Sequence, residues 1–312
     1  MSEPHLILGI GELLWDLLPD GRQLGGAPAN FAVLAGGLGN HAAILSRIGR
    51  DDLGREAIAR LDALPVDPSY LQVDPSLETG RVTVQLRNRQ PSYTIHQPAA
   101  WDALELSDAW VQLAARAGAL SFGSLAQRSA QSRQTIQALV AGTAASCIRI
   151  FDVNLRPPFI SAEVIQESLE LATVVKMNEA ELPQVLALLG LPVNEGREPE
   201  GEQHWRRRDA GRLLAEFSGL DLVAITCGAQ GSLLVRRDEF HDHPGLAVQV
   251  ADTVGAGDAF TAALAHYLLR GANLQTLNEA GNRWGSWVAS QSGAMPDLPE
   301  AERQRIAAAI EG

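Results

Sequence analysis

Short apolar runs alternate along this chain with longer stretches in which apolar residues recur every three or four positions. HLILGIG reads as a first strand, ANFAVLAGGLG as a helix, and HAAILSRIG as a strand and loop. In LGREAIARLDAL the apolar positions Leu53, Ala57, Ile58, Leu61 and Leu64 carry helical spacing. GALSFGS, CIRIFDVN, TVVKMN and LDLVAITCG are further short apolar runs, each ending in small or polar residues, with helical stretches such as SRQTIQALVAG and EVIQESLELA between them. Strands alternating with helices predict an α/β fold whose mainly parallel central sheet is flanked by helices on both faces.

One region breaks the rhythm. ETGRVTVQLRNRQPSYTIHQP alternates with period two, placing Val82, Val84 and Leu86 before a polar NRQP turn and Tyr93 and Ile95 after it, which predicts a hairpin. ELLWDLLPDGRQL supplies another strand pair around PDGR. Together they predict a small β-sheet lid formed by residues 10–24 and 79–100, projecting from an α/β body of residues 1–9, 25–78 and 101–312. The polar stretch 194–209 reads as a solvated loop entering the helix DAGRLLAEF, with Arg206, Arg207 and Arg208 as a solvated charge run.

Composition narrows the function classes. Of 312 residues, 46% are apolar but only 5% aromatic, so a sizeable core must be mostly aliphatic. The net charge of −12 argues against a nucleic-acid partner and against an anionic membrane surface. No signal-peptide pattern or membrane-length apolar run is seen. Cys147 and Cys227 read as small core residues of a protein from a reducing compartment, and a cytoplasmic location is the expectation. Lys176 is the single lysine among 25 basic residues, and no P-loop motif occurs, so phosphate chemistry needs another route.

ADTVGAGDAF, residues 251–260, offers one. Gly255 and Gly257 flank Ala256 just before Asp258, and apolar residues at 259, 260, 263, 264, 267 and 268 form a buried helical stripe. The glycines therefore sit at a helix N-terminus, where free N–H groups and the positive dipole end attract an anion such as a developing phosphoryl oxygen. Asp258 in the first turn can accept the proton of an attacking hydroxyl; on this pattern alone it could equally be a favourable helix-start charge. In GGAPANFA, Gly26 brings backbone close to a ligand and Asn30 offers an amide, as a polyol site requires, with Asp16 a second carboxylate from the lid side; a loop followed by an N-cap fits as well. DVNLR sets Asp152, Asn154 and Arg156 on one face if the strand continues, KMNEAEL carries Asn178 and Glu181, and TCGAQGS carries Thr226, Gly228 and Gly231. Polar groups at several successive strand ends are what the rim of an α/β active site requires. His241 and His243 read as an exposed hairpin, and the lone GIG at 9–11 lacks the dinucleotide-binding fingerprint.

In combination, GGAPANFA, D-x-N-x-R at 152–156, N-x-x-E at 178–181, T-x-G-x-x-G at 226–231 and DTVGAGD at 252–258 resemble the ribokinase-like (PfkB) sugar kinases, in the family's order and over essentially the whole chain. The resemblance implies an ATP-dependent phosphotransferase acting on a primary hydroxyl of a free sugar. It implies Asp258 as the base and Gly255, Ala256 and Gly257 as the anion hole. Asp16, Gly26 and Asn30 become sugar ligands beside Asp258. Asn178, Thr226, Gly228 and Gly231 become nucleotide contacts, with Asn282 near adenine. Glu181 organises Mg²⁺ through water, and Arg156 reaches the phosphates or the sugar. Asp252 and the backbone of Val254 belong to a K⁺ site, although Asp297 stands where a small hydroxyl residue is usual, which leaves K⁺ dependence open. GELLWD with GGAPANFA is more similar to the fructokinase branch than to ribokinases, so D-fructose is the first expected substrate. 2-Keto-3-deoxygluconate kinase and ribokinase are alternatives, as is a non-catalytic sugar or nucleotide sensor on the same fold. Relatives often dimerise through lid edges, so a homodimer is the expected assembly.

Overall fold

A computed structural model describes residues 4–19, 21–87, 90–193 and 202–311. The chain opens with β1 (Leu6–Ile10), runs through the hairpin β2 (Leu14–Leu18) and β3 (Gly21–Gly25), and enters α1 (Ala27–Gly37). β4 (His41–Leu45), β5 (Arg47–Gly49), α2 (Asp52–Leu61) and β6 (Gln72–Asp74) follow, then β7 (Gly80–Arg87) and β8 (Gln90–Ile95). Next come α3 (Asp108–Ala114), β9 (Ala119–Gly123), α4 (Ala130–Ala141), β10 (Ile148–Asp152), α5 (Ala162–Leu171), β11 (Val174–Asn178), α6 (Glu181–Leu188), α7 (Glu202–Glu216) and β12 (Leu222–Thr226). β13 (Ser232–Val235), β14 (Phe240–His243), α8 (Ala256–Leu268), α9 (Leu274–Ala289) and α10 (Glu300–Glu311) complete it.

Eight strands form one sheet in the order β14-β13-β12-β11-β10-β9-β1-β4. The six from β12 to β4 are parallel, and β13 and β14 are antiparallel. Apolar residues run nearly unbroken through these strands because both faces are buried. On one face Ile7, Ile150, Val174 and Leu222 meet Phe31 of α1, Phe260 and Leu264 of α8 and Leu277 of α9. On the other, Leu8, Phe151, Val175 and Val223 meet Ile136 of α4, Ile165 of α5, Val185 of α6 and Leu213 of α7. Each fully buried side chain of this size contributes about 1.5–3 kcal/mol. From β1 the chain steps first to β4 on one side and later to β9 on the other, so β1 is where the strand order reverses. The crevice beyond the carboxyl ends of β1, β9 and β10 is therefore where an α/β fold presents ligand-binding groups.

The two hairpins meet in a separate four-stranded sheet, β3-β2-β7-β8, with β2 and β7 parallel. Arg128 ties its exit to the body. The guanidinium lies over the Trp101 ring at 3.9 Å and the Phe159 ring at 4.7 Å, bonds both Asp102 oxygens at 2.8 Å, and donates to the His96 carbonyl at 2.9 Å.

Three local expectations need correction. The helix expected at DAGRLLAEF begins earlier, at Glu202, and Arg206 is buried on it, donating to Glu179 at 2.6 Å, while Arg207 lies over the Phe240 ring. Residues 194–201 of the expected loop, and Asn88 and Arg89 of the expected NRQP turn, lie outside the described residues. His243 is buried rather than exposed, 2.8 Å from Glu279, and its other ring nitrogen accepts the Gly245 N–H. The third concerns DVNLR: the strand ends at Asp152, and Asn154 turns into the left-handed region at φ 40°, so Asn154 and Arg156 do not continue its face. Cys147 and Cys227 are both buried, and burial pushes each thiol up to about 11.

Candidate active site

The tip of α8 is built by the residues before it. Gly255 caps the helix at φ 81°, and a Cβ there would stand 2.6 Å from the Ala294 carbonyl oxygen, so no other residue fits without movement. Asp252 fixes the approach: one carboxylate oxygen accepts the Val254 N–H at 3.0 Å and the other the Gly293 N–H at 3.2 Å. The first full helical bond runs from Ala259 N–H to Gly255 O at 2.8 Å. The N–H groups of Gly257 and Asp258 are thus first-turn donors without a partner inside the helix, the arrangement that receives anions.

Asp258 stands in that turn beside α1. Asn30 donates its amide to Asp258 Oδ2 at 2.7 Å, while its own Oδ1 is buried with no partner among the described residues. The position of α1 follows from Gly26, at φ 109°, where a Cβ would lie 2.3 Å from the Glu12 carbonyl. Burial, then the negative charge of Asp152, push Asp258 up to about 6, against Lys176, the Asn30 hydrogen bond and Arg156. A carboxylate raised in this way is a better base for an alcohol and is still ionised at neutral pH.

Two more raised carboxyls share the influence of the Arg156 cation with it. Burial lifts Asp16 to about 6 and Glu12 to about 7, and the Arg156 charge opposes both. Arg156 is exposed, and its bond at 3.2 Å to the carbonyl of its own neighbour Leu155 leaves donors over. Glu12 was not among the expected site residues. Its signal is a carboxylate directly behind an apolar strand, in GIGELLW; its Oε2 is buried without a partner among the described residues.

The nucleotide side expected from the motifs forms a second group. Asn178 and Thr226 are register neighbours at the ends of β11 and β12. N-x-x-E acts as a reciprocal clip: Asn178 Oδ1 accepts the Glu181 N–H at 3.0 Å, and Glu181 Oε2 accepts the Asn178 N–H at 2.8 Å. The other Glu181 oxygen accepts the Leu155 N–H at 2.8 Å, joining the β10 and β11 exits. Gly228 and Gly231 take φ 57° and 85° in the turn after β12, and a Cβ on Gly231 would stand 1.9 Å from the His243 carbonyl. Asn282 is buried, with its amide nitrogen donating to Ser232 Oγ at 2.7 Å and to the Asn278 carbonyl at 2.8 Å.

Comparison with known proteins decides the family. The pfkB family carbohydrate kinase profile matches residues 21–301. The chain belongs to the pfkB family of carbohydrate kinases. It is 32% identical over 308 residues to an uncharacterized sugar kinase of Pyrococcus horikoshii, covering 93% of this chain and 91% of that one, and the structure of that kinase superposes with a TM-score of 0.80. It is 30% identical over 316 residues to a fructokinase of Escherichia coli, covering 93% and 95% of the two chains. A fructokinase structure from Xylella fastidiosa, at 21% identity, covers 98% of this chain and 99% of its own with a TM-score of 0.82, a likeness of fold. The fold is ribokinase-like, and the enzyme is a phosphotransferase acting on a sugar.

In this kinase the single lysine lies beside the tip of α8. Lys176 is buried, its Nζ 3.1 Å from both Asp152 oxygens, and a Cβ on Gly257 would stand 2.9 Å from that Nζ. The expectation that the helix tip works without lysine omits this. Its signal in the sequence is a lone charge inside the apolar strand TVVKMN. As for a metal, no group of three His, Cys, Asp or Glu side chains among the described residues stands close enough to hold one. Glu181 spends one lone pair of each oxygen on backbone N–H groups and keeps others, which suits it to a metal-bound water rather than to direct ligation.

Proposed function

We propose that this kinase transfers the γ-phosphoryl group of ATP to a primary hydroxyl of free D-fructose. The Asn30–Asp258 pair at the open tip of α8 carries the reading: the base sits beside unpartnered helix donors and beside an amide oxygen waiting for a hydroxyl. Asp16, the Gly26 backbone and Asn30 hold the sugar, and Asp258 takes the proton of its hydroxyl. The N–H groups around Gly255, Ala256 and Gly257 receive the negative charge that develops on the transferring group. Asn178, Thr226, Gly228 and Gly231 line the nucleotide, with Asn282 behind it. Arg156, with donors to spare, faces phosphate or sugar. Glu181 would hold Mg²⁺ through a water, and the ion would supply neutralisation of phosphate charge. A K⁺ site at Asp252 and Val254 fits less well, since both Asp252 oxygens already accept backbone N–H groups and Asp297 is exposed, and no step here runs through it.

Fructose is favoured by the Escherichia coli fructokinase and by a fructokinase structure from Vibrio cholerae with fructose, ADP and calcium ion bound, 27% identical with a TM-score of 0.77. Closure of the four-stranded sheet over the site would exclude water as a competing acceptor. A homodimer through that sheet and a cytoplasmic location belong to the same reading. No helix among the described residues is long and apolar enough to cross a membrane.

A panel of fructose, ribose, 2-keto-3-deoxygluconate and nucleosides with ATP, compared by kcat/KM in a coupled ADP assay, tests the proposal. Fructose should lead. A higher kcat/KM for ribose or ketodeoxygluconate overturns the substrate, and ADP release that no sugar stimulates favours the sensor.

A further inference from the structure

The phosphoryl-transfer scheme gives no role to the buried ion pair beneath the anion hole. Asp152 ends β10 and Lys176 lies opposite it on β11 in register, so their side chains share one face of the sheet. Lys176 carries three donors, and its bonds to Asp152 use two. Thr261, one turn into α8, sets its hydroxyl 2.9 Å from the Gly257 carbonyl and 3.2 Å from Asp152 Oδ2. The chain Lys176–Asp152–Thr261–Gly257 therefore bolts the first turn of α8 to the ends of two sheet strands. Gly257 is small where it faces the ammonium group.

We propose that Asp152, Lys176 and Thr261 form a charge-balanced buttress: they fix the anion-hole turn from behind and set the net charge felt by Asp258. All three are positioning residues, and the inference rests on Asp258 acting as the base. The two charges act on Asp258 with opposite sign, Asp152 disfavouring its ionised form and Lys176 favouring it. Burial works against the charge on Lys176, but Asp152, Asp258 and Glu181 more than offset that and hold its pKa above the usual lysine value. Among the described residues, Asn30 from α1, Arg156 from the loop after β10 and Glu12 from the loop after β1 also act on Asp258. Without Asp152, the charges of Asp258 and Glu181 still favour an ionised Lys176, whereas a buried Asp152 without Lys176 would disfavour the ionised base. The pair supplies a cation below the phosphoryl position without leaving a bare charge in the core.

The test is the pH dependence of kcat/KM for the sugar in Lys176→Met, Asp152→Asn and the double variant. Lys176→Met should move the acid limb up by about one pH unit, Asp152→Asn should move it down by a similar amount, and the double variant should lie between them. Lys176→Arg, which keeps the charge, should hold the wild-type limb. Limbs that stay in place, or that move in the same direction in both single variants, overturn the charge role. Thr261→Val leaves both charges intact and should cost about fivefold in kcat, the worth of one hydrogen bond, with Thr261→Ser restoring it; an unchanged kcat overturns the mechanical role, and this arm stands even where a charge variant fails to fold. Near-normal turnover in Asp258→Asn would instead remove the base itself, a failure distinct from either of these.

Discussion

The carboxyl rim of the large sheet and the small four-stranded sheet hold their polar groups on different terms. On the rim, Asp152, Lys176, Glu181 and Asn30 are each buried or bonded to partners from other elements, so their positions are over-determined. On the small sheet, Asp16 is half-buried with no cation in direct contact among the described residues, and Tyr93 is 63% exposed. A transition state needs fixed charges, whereas substrate choice needs groups that can be exchanged without unfolding the body. Rim substitutions should therefore act on kcat, and small-sheet substitutions on KM.

The largest effect expected is for Asp258→Asn, which should lower kcat about 10²–10⁴-fold while nucleotide affinity, read by equilibrium titration, holds. Next is Gly255→Ala. It drives a Cβ into the Ala294 backbone at a positive φ, and should cost about 1–3 kcal/mol in denaturant unfolding together with most of the turnover. Wild-type stability and kcat in this variant would show that the α8 tip is not tightly built. Asp16→Asn should raise KM for the sugar about tenfold with kcat nearly kept, through loss of one charge-assisted hydrogen bond. It should also melt higher than wild type at pH 7. Burial raises Asp16 from 3.8 to about 6, so its charged form is penalised in the fold. That penalty is complete above about pH 6 and gone below 3.8, so the gap in Tm should close as the pH falls through that window. Smallest is Tyr93→Ala, which should change monomer stability by no more than about 0.5 kcal/mol; a larger loss would mean that this sheet is as constrained as the rim.

Much of this was legible from residue order. The parallel strands announced themselves because both-face burial demands unbroken apolar runs, and DTVGAGD because a left-handed cap against Ala294 demands glycine at 255. What stayed hidden depends on partners distant in sequence. Lys176 reads as an interruption of TVVKMN until the β10–β11 register brings Asp152 across 24 positions. Arg206 and His243 read as solvated until Glu179 and Glu279, 27 and 36 positions away, meet them. DVNLR kept the period of a strand through Arg156, but the backbone turns at Asn154 and frees Arg156 for solvent.

Phosphoryl transfer in this reading requires Asp258 to lose its proton before it can accept one from the sugar. The measurement that reaches this most directly is kcat at saturating fructose from pH 4.5 to 8, which loss of the Asp16 charge leaves nearly unchanged, in the wild type and in Asp258→Asn. The wild type should lose activity with a one-proton acid limb near pH 6, where burial and Asp152 place this carboxyl, and the residual activity of Asp258→Asn should show no such limb. A limb that survives in Asp258→Asn, or a wild-type profile flat through pH 6, would assign the proton transfer to another group.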